Sequence, residues 1–373
     1  MSDGLKRRTQ PDSTPPTLFH VEPDWRKAWW GMPSFDMGDA RPAHRITVNF
    51  ICWEDALEFA KRLGIKVTRK TDSTWFPPPR LWIGRTNGST AMNPKYPIYV
   101  PSKGRWERPL TAIRLRDMGV PFRVVVEPLE ADAYAKALGQ ECLLVLPFDN
   151  LGQGSIPARN WIWEHALAEG HARHWVIDDN IVRFYRLNLN RRIPVATGAI
   201  FACAEDFTDR YENVAFSGFN NLAFAPDREP DIPPFVFNTR IYSMTLINNA
   251  LPYRWRGRYN EDTDICLRAL KDGWVTIQFN AFLGDKTTTM TMAGGNTDTV
   301  YAGGDHRREF AESLKEQHPD CVEVVWKFDR WHHQVDYSRF RRNRPIMRAG
   351  VVPTGAPNEY GMELVRKGVG HAL

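Results

Sequence analysis

The middle of the chain alternates between short apolar runs and segments with helical spacing. The apolar runs predict strands at residues 98–100, 122–126, 142–146 and 174–177. The segments between them predict helices at residues 110–115, 134–138 and 156–168. Continuously apolar strands that alternate with helices indicate a parallel sheet covered on both faces. We therefore expect an α/β fold from about Tyr96 onward.

The pattern before this alternation is shorter and different in kind. Residues 45–50 alternate like a strand, residues 53–63 have helical spacing that Gly64 ends, and residues 65–68 resemble a second strand. The sequence therefore predicts a small α+β appendage ahead of the main domain.

These patterns divide the chain into regions. They are a partly disordered N-terminal arm at 1–44, the appendage at 45–95, the main α/β domain at 96–345 and a loosely ordered tail at 346–373. The later part of the main domain is rich in strand-forming residues, at 214–224, 235–247 and 274–283.

The strand at 174–177 ends in the clearest candidate chemistry, the adjacent acids Asp178 and Asp179. Burying two carboxylates without a cation would cost much free energy, so we expect a positive partner. Ligands of parallel sheets bind beyond the carboxyl ends of the strands. A nucleotide diphosphate held by Mg²⁺ or Mn²⁺ fits this place, because these ions prefer carboxylate and phosphate oxygens. An acidic turn after a strand is the simpler alternative.

Polar residues also follow the neighbouring strands and open the third helix. At the strand ends they are Ser102, Lys103, Arg105 and Glu127, and at the helix start they are Arg159 and Asn160. An arginine near a helix N-terminus is unfavourable for the helix dipole, which favours a ligand-binding role for Arg159. The set is suited to a nucleotide.

A second acidic cluster, Glu261, Asp262 and Asp264, opens the helix at residues 265–270. One interpretation is structural, because Asn260 suits an N-cap and acids in a first turn interact favourably with the helix dipole. The other is catalytic, because an acid fixed by a helix and facing a pocket can act as a general base. The sequence leaves both open.

Two histidines, His332 and His333, lie late in the chain after a strand predicted at residues 322–326. A neutral imidazole could complete a Mn²⁺ shell begun by Asp178 or Asp179. Adjacent strand residues point in opposite directions, so at most one of the two faces a given metal. An ordinary surface or core histidine is the alternative.

Composition allows a nucleic-acid partner without requiring one. The net charge is +5 with a pI near 8.9, and the basic segment at residues 339–344 is either a solvated face or a surface that follows phosphates. Fourteen tryptophans, several beside arginine, suit stacking on bases or sugars as well as core packing. Trp255, beside the second acidic cluster, is one such case.

The remaining features indicate a cytoplasmic protein. Five scattered cysteines without a Cys-x-x-Cys pattern predict small buried thiols in a reducing compartment. The chain has no apolar run of about 18 residues and no apolar signal core after Met1, so we expect no membrane partner.

Six motifs, in this order, resemble those of GT-A glycosyltransferases. They are Val100-Pro101-Ser102-Lys103-Gly104-Arg105, Val126-Glu127-Pro128, Pro157-Ala158-Arg159-Asn160, Ile177-Asp178-Asp179-Asn180, Asn260-Glu261-Asp262-Thr263-Asp264 and Trp331-His332-His333-Gln334-Val335-Asp336-Tyr337. More narrowly, they resemble the TET-associated, base-J-type glycosyltransferases of phages and eukaryotes. The resemblance covers Tyr96 to about Arg344.

The resemblance implies a GT-A fold, with a Rossmann-like nucleotide-binding half and a mixed central sheet. It also implies a UDP-sugar donor, a Mn²⁺ or Mg²⁺ ion, and an acceptor hydroxymethyl group on a pyrimidine of DNA, with 5-hydroxymethylcytosine as the first candidate. A phage-encoded member would work in the host cytoplasm.

By position in the motifs, the resemblance also implies roles for single residues. The nucleotide site would contain Ser102, Arg105, Glu127, Arg159, Asn160 and Asp178. The metal would bind Asp178 and Asp179 together with His332 or His333. Asp262, with Glu261 as the alternative, would remove the acceptor proton, and the anomeric centre would invert. One departure is Asn180, where the usual motif ends in Asp.

Three other functions stay open. The fold could serve a glycan or small-molecule acceptor, the acids could serve a metal-dependent nuclease, or the chain could be a non-catalytic DNA-binding module. DNA affinity, nicking of plain DNA, and the response to Asp178→Ala and Asp262→Ala distinguish these functions.

Overall fold

The structure is a computed structural model of the 373-residue chain. It describes residues 25–37, 46–65, 67–69, 71, 82–86, 92–225, 232–257, 259–287, 306–352 and 356–366. Most of the predicted N-terminal arm and the end of the predicted tail lie outside the described residues.

The described helices follow the predicted spacing closely. They are α1 (Trp25–Ala28), α2 (Trp53–Leu63), α3 (Leu110–Asp117), α4 (Ala131–Leu138), α5 (Ile156–Ala168), α6 (Ala199–Asp209), α7 (Glu261–Lys271) and α8 (Arg307–Gln317). Short 3₁₀ turns occupy Pro128–Glu130, Gln140–Cys142, Leu222–Phe224 and Tyr337–Phe340.

The strands occupy most of the predicted apolar runs. They are β1 (Trp82–Thr86), β2 (Ile98–Pro101), β3 (Arg123–Val126), β4 (Leu143–Val145), β5 (Arg173–Ile177), β6 (Ile181–Asn188), β7 (Arg191–Pro194), β8 (Val214–Asn221), β9 (Phe235–Phe237), β10 (Met244–Asn248), β11 (Val275–Lys286), β12 (Val322–Lys327), β13 (Arg330–Val335) and β14 (Met362–Arg366).

The central sheet has the order β4-β3-β2-β5-β10-β8-β11-β6-β7, with β9 added beside β11. Strands β2 to β5 are parallel, and their order is that of a doubly wound nucleotide-binding half. Strand β10 runs antiparallel to both of its neighbours, and β8 and β11 are parallel to each other. The predicted α/β fold with a Rossmann-like half and a mixed central sheet is confirmed.

Successive residues of the central strands pack on opposite faces of the sheet. Trp175 and Ile177 belong to a core that includes side chains of α3 and α6. Tyr99 and Val176 belong to a core that includes side chains of α5 and α7. Because helices cover both faces, a ligand can approach the parallel strands at the end where they finish, and polar side chains lie there.

Residues 25–37 pack on the central domain although they precede it by sixty residues in sequence. Trp29 and Met32 are buried in the core with α6. Arg186 of β6 binds Glu359 at 2.6 Å and the carbonyl oxygen of Ser34 at 2.6 Å, joining both ends of the chain to the sheet. Strand β1 pairs antiparallel with β14.

Two local predictions are wrong. Residues 46–50 and the described part of 65–68 form no strand, although α2 between them ends at Gly64 as expected. Ile46 and Val48 are exposed, and alternation alone does not make a strand where no described neighbour supplies hydrogen bonds.

Cys52 is exposed and not buried, whereas Cys203, Cys266 and Cys321 are buried free thiols.

Within the part of the chain that the structure describes, none of the helices has the length and apolar character needed to cross a bilayer.

Candidate active site

The acid pair follows β5 at the centre of the sheet. All five residues of β5 are buried, and the strand lies between β2 and β10. The backbone N–H of Asp178 donates to the Ser243 carbonyl at 2.8 Å, and the Thr111 hydroxyl donates to the Asp178 carbonyl at 2.6 Å. These bonds fix the backbone of the turn, so both carboxylates are held at the open end of the strands.

Arg159 joins the two acidic clusters that the sequence separates by more than eighty residues. Its Nη2 donates to Asp178 Oδ1 at 3.1 Å and its Nη1 donates to Asp262 Oδ1 at 2.6 Å. Glu261 Oε1 lies 4.0 Å from Nη1. The guanidinium is buried and lies 4.8 Å from the centre of the Trp255 ring. The two predicted acidic clusters therefore form one site.

Lys286, the last residue of β11, is a second cation at the same carboxylate and is partly buried. Its Nζ donates to Asp178 Oδ2 at 2.7 Å and to Ser243 Oγ at 3.0 Å. Burial alone would lower the pKa of Lys286. The negative charges of Asp178 and Asp262 have the larger effect and raise the pKa of Lys286. Burial likewise disfavours ionised Asp178, yet Lys286 and Arg159 lower the pKa of that carboxyl to about 2. Asp178 is therefore ionised at neutral pH.

Asp179 faces the nucleotide-binding half. Ser102 Oγ donates to Asp179 Oδ2 at 2.7 Å, and Arg105 donates to the other oxygen. The Tyr134 hydroxyl accepts from the Arg105 backbone N–H at 3.0 Å and lies 2.6 Å from Ser102 Oγ. This chain of bonds connects the ends of β2 and β5 to α4, and burial raises the pKa of Asp179 despite Arg105.

Glu127, at the end of β3, pairs with a cation of the β2 loop. Lys103 Nζ lies 2.7 Å from Glu127 Oε2 and 2.9 Å from Asn150 Oδ1. The side chains predicted at the strand ends therefore all lie along one edge of the sheet, beside the acid pair.

Glu261 and Asp262 lie in the first turn of α7. Burial raises the pKa of both carboxyls, and the neighbouring Asp262 adds to the shift of Glu261. Arg159 offsets part of the shift of Asp262. A carboxyl whose proton affinity is raised in this way is suited to accept a proton.

The helix start is built differently from the predicted cap. Asn260 has a left-handed backbone with φ of 55° and makes no side-chain cap; its amide instead donates to the Phe310 carbonyl of α8 at 2.7 Å. Asn260 is the N-cap residue, as predicted, but it caps with its backbone carbonyl, which accepts from the N–H groups of Thr263 and Asp264 at 3.0 and 2.9 Å.

A family model for TET-associated glycosyltransferases matches residues 96–295, which is more than half of the chain. The chain belongs to this family. The matched range contains every side chain of the site except those of α8 and the strands after it. The predicted resemblance and the predicted enzyme class are both confirmed.

Solved structures add little to this assignment. A nucleotide-diphospho-sugar transferase from Desulfovibrio desulfuricans G20 has 10% identity and a TM-score of 0.31, over 61% of this chain and 96% of its own. A mannose-6-phosphate isomerase from Helicobacter pylori has 8% identity and a TM-score of 0.23, over 74% and 94%. Neither score supports an argument. No curated protein matches significantly.

In this TET-associated glycosyltransferase, Asn160 has a local partner. Its amide donates to the Trp255 carbonyl at 2.9 Å and its oxygen accepts from the Trp255 N–H at 2.8 Å. Trp255 is buried beneath Arg159, so core packing accounts for its ring. The structure therefore uses Asn160 to hold the segment that supports Arg159.

His332 and His333 lie on β13, which forms a hairpin with β12. Arg330 Nε donates to His332 Nε2 at 3.0 Å. Burial and Arg240 lower the pKa of His333 to about 4, so that ring is neutral. Across the described residues, no three His, Cys, Asp or Glu side chains come together in a way that could hold a metal ion.

Sequence reasoning missed Lys286 and Tyr134. Lys286 ends a strand whose predicted segment stops at residue 283 and which has polar residues at 276, 278, 280 and 285, so the apolar pattern did not reach it. Tyr134 is buried in the middle of α4 and carries no such signal.

Proposed function

We propose that this glycosyltransferase moves a sugar from a UDP-sugar to the hydroxyl of a 5-hydroxymethylpyrimidine in DNA, with 5-hydroxymethylcytosine as the first candidate base. The observation that carries the proposal is the position of Arg159 between Asp178 and Asp262. In a glycosyltransferase, this position brings Asp178, which belongs to the proposed nucleotide site, close to Asp262, the candidate general base. The sugar donor and the acceptor hydroxyl could then bind next to each other.

Asp262 is the proposed base. One of its oxygens binds Arg159, the other makes no hydrogen bond to a described residue, and the side chain is 22% exposed. As the acceptor oxygen attacks the anomeric carbon, its proton passes to Asp262 and the bonding electrons of the leaving group pass to the diphosphate. A single carboxylate on the side opposite the leaving group gives inversion. Glu261, 4.0 Å from Arg159, is the alternative base.

The metal implied by the family resemblance fits the described donors poorly. Both oxygens of Asp178 and both of Asp179 already accept from protein donors, and three of those donors are cationic: Arg105, Arg159 and Lys286. A divalent ion that used these carboxylates together with phosphate oxygens would have to displace the cationic donors or share an oxygen with them. His332 and His333 belong to no metal-binding group of the described residues. The mechanism above therefore contains no step through a metal.

A DNA acceptor is supported by the tip of the β12–β13 hairpin. Lys327 pairs with Arg330, so Phe328 and Asp329 form a two-residue turn. Both have positive φ, 53° and 55°, a conformation in which Asn-Gly is usual and a bulky residue is costly. Phe328 nevertheless occupies this turn, and its ring is 85% exposed.

The surroundings of that ring suit a nucleic acid. Trp326 is 57% exposed, Lys327 and Arg330 are exposed, and Arg308 of α8 lies 5.0 Å from the centre of the Trp331 ring. Exposed rings flanked by cations bind bases by stacking and phosphates by charge. Stacking of this kind also suits a base taken out of a duplex for reaction.

The hairpin is connected to the proposed base through α8. The first turns of α7 and α8 meet where Asn260 binds the Phe310 carbonyl, and the ring of Tyr259 stacks on Phe310 at 3.8 Å between centres. Arg308, two residues before Phe310, contacts the hairpin. The first turn of α8 therefore links the helix that carries Glu261 and Asp262 to the hairpin.

The basic segment predicted as an alternative DNA surface lies elsewhere. Asn343 binds the Trp274 carbonyl and Asn213 binds the Arg344 carbonyl, which puts the segment beside the starts of β8 and β11. Lys286 ends β11, and twelve residues of strand span roughly 35 Å. We therefore assign the DNA contact to the hairpin.

The test combines duplex and single-stranded DNA containing 5-hydroxymethylcytosine, 5-hydroxymethyluracil or unmodified bases with a panel of UDP-sugars, followed by nucleoside mass spectrometry. We expect a hexose added only to a hydroxymethylated base. A Trp326→Ala/Phe328→Ala variant should lower DNA affinity roughly 5- to 100-fold without changing UDP affinity, because stacking contributes about 1–3 kcal/mol per base. Val352→Ala, at a position 72% exposed elsewhere, is the control.

Other outcomes identify the competing functions. Sugar transfer to glycans or small alcohols but never to DNA would assign a different acceptor. Nicking of unmodified DNA without consumption of UDP-sugar would indicate a nuclease. DNA binding that survives Asp178→Ala and Asp262→Ala, with no transfer by the wild type, would indicate a binding module.

A further inference from the structure

The cations around Asp178 are arranged in a way that the sequence motif did not indicate. Asp178 Oδ1 accepts from Arg159 at 3.1 Å and Oδ2 accepts from Lys286 at 2.7 Å. Both cations are themselves held in place, Arg159 by Asp262 at 2.6 Å and Lys286 by Ser243 at 3.0 Å. The first acid of the motif therefore orients two positive side chains.

The charges of the cluster are nearly balanced without any added ion. Four carboxylates, those of Asp178, Asp179, Glu261 and Asp262, meet the three cations Arg105, Arg159 and Lys286. A divalent cation entering beside Asp178 would be close to two positive side chains that oppose it. A leaving diphosphate, in contrast, would be attracted by the same two side chains.

The third position of the motif agrees with this arrangement. Asn180 is 8% exposed, and its side-chain oxygen has no hydrogen-bond partner among the residues that the structure describes. This neutral oxygen can accept one bond from a ligand N–H or O–H. It brings no charge to a cation, so it would stabilise a bound metal less than the Asp that is usual at this position.

Lys286 has one N–H donor that its described contacts do not use. An ammonium group carries three N–H donors, and the described contacts of Lys286 use two of them, to Asp178 and Ser243. The third can donate to a phosphate oxygen while Asp178 keeps the ammonium in place. Preorganised positive groups of this kind stabilise charge that develops as a bond breaks.

We propose that Lys286 and Arg159 neutralise the donor diphosphate, and that sugar transfer in this protein needs no divalent metal. The inference rests on the proposed use of a nucleotide-sugar. The bond from the anomeric carbon to the β-phosphate oxygen breaks and its electrons stay on that oxygen, beside Lys286. The bond from the acceptor oxygen to the anomeric carbon forms, and the acceptor proton goes to Asp262.

The first experiment measures binding of UDP to EDTA-treated wild-type protein by isothermal titration calorimetry, with and without added Mn²⁺. We expect the two dissociation constants to agree within about twofold, since the diphosphate then contacts protein cations and no ion. Binding at least tenfold tighter with Mn²⁺, or binding only with Mn²⁺, would overturn the inference and leave the proposed glycosyl transfer intact. Binding in neither buffer would overturn both.

The second experiment replaces the proposed cation. Lys286→Met should weaken UDP binding by about 10- to 100-fold in EDTA, because hydrogen bonds to charged groups contribute about 1.5–3 kcal/mol. Added Mn²⁺ should not restore it, and Lys286→Arg should retain part of it. The matched control is Lys95→Met, since Lys95 also binds an aspartate at 2.7 Å but precedes β2 at the other end of the sheet.

UDP affinity that is unchanged in folded Lys286→Met would contradict the role of Lys286. If Lys286→Met does not fold, the comparison of EDTA with Mn²⁺ in the wild type still decides whether a metal is needed.

Discussion

Two carboxylates in the first turn of α7 have opposite surroundings although one residue separates them. The side chain of Asp264 is 1% exposed and meets Arg256 at 2.9 Å, Arg268 at 3.0 Å and His318 at 2.9 Å. The side chain of Asp262 is 22% exposed and has Arg159 as its one described partner, at 2.6 Å. Residues two apart on a helix point about 200° apart, so one acid faces α8 and the other faces the site.

The same helix turn therefore holds one acid that is fully paired and one that is not. Burial alone would raise the pKa of both, but His318 and the two arginines reverse this for Asp264 and lower its pKa. Arg159 does not reverse it for Asp262, whose pKa is raised. Asp264 stabilises the folded chain as an anion, whereas Asp262 retains affinity for a proton. This difference distinguishes a structural acid from a candidate base.

The largest expected effect is on activity, from Asp262→Asn. Loss of a general base lowers the rate roughly 10²- to 10⁴-fold. The melting temperature should stay the same or rise, because a raised pKa means that the folded state disfavours the anion that is removed. Measuring kcat/KM and thermal unfolding on the same preparation checks both parts. Full activity in this variant would remove Asp262 from the mechanism.

The sequence was sufficient to predict much of this site. Apolar strands that end in polar residues located Ser102, Glu127 and Asp178, because parallel strands bring their carboxyl ends to one edge. The motif order also indicated that Asp262 belongs with Asp178, and both contact Arg159.

Other features depend on tertiary packing and could not be predicted from the sequence. Nothing in the order Glu-Asp-Thr-Asp indicates which acid faces α8, since that requires the position of His318. The sequence predicts Asn160 as a residue that binds the nucleotide. Only the structure shows that its amide binds the backbone of Trp255. The hydrogen-bond pairing of β12 with β13 makes Phe328 a turn residue, whereas the sequence predicts only that a strand ends at about residue 326.

Asp264→Asn should lower stability with little effect on the activity of the folded protein. Removing one partner of a buried ion pair leaves the others uncompensated, and we expect about 3 kcal/mol less free energy of unfolding at pH 7. Because the pKa of Asp264 is lowered, its contribution is complete above about pH 4 and is lost as pH falls through its folded-state pKa. The difference from wild type should therefore be equal at pH 7 and 5 and smaller at pH 3.5.

Urea unfolding at the three pH values measures this, with Asp320→Asn as the matched control. Asp320 binds Lys271 at 2.6 Å but is 49% exposed, so its removal should cost less than about 1 kcal/mol. Equal losses in the two variants would mean that the Asp264 cluster carries no special stability, and the comparison with Asp262 would fail.

The smallest expected effect is that of Glu261→Gln, and it decides between the two candidate bases. Glu261 and Asp262 are neighbouring, partly buried acids beside one arginine, and burial together with the charge of Asp262 raises the pKa of Glu261 to about 7. Glu261→Gln removes this titrating group, so the acidic limb of the kcat/KM profile should lose its part near pH 7 and move to lower pH. Activity at pH 8 should stay within about tenfold of wild type, because the proposed base is intact. A loss as large as that of Asp262→Asn would instead make Glu261 the base, and an unmoved limb would mean that the two carboxyls do not share a proton equilibrium.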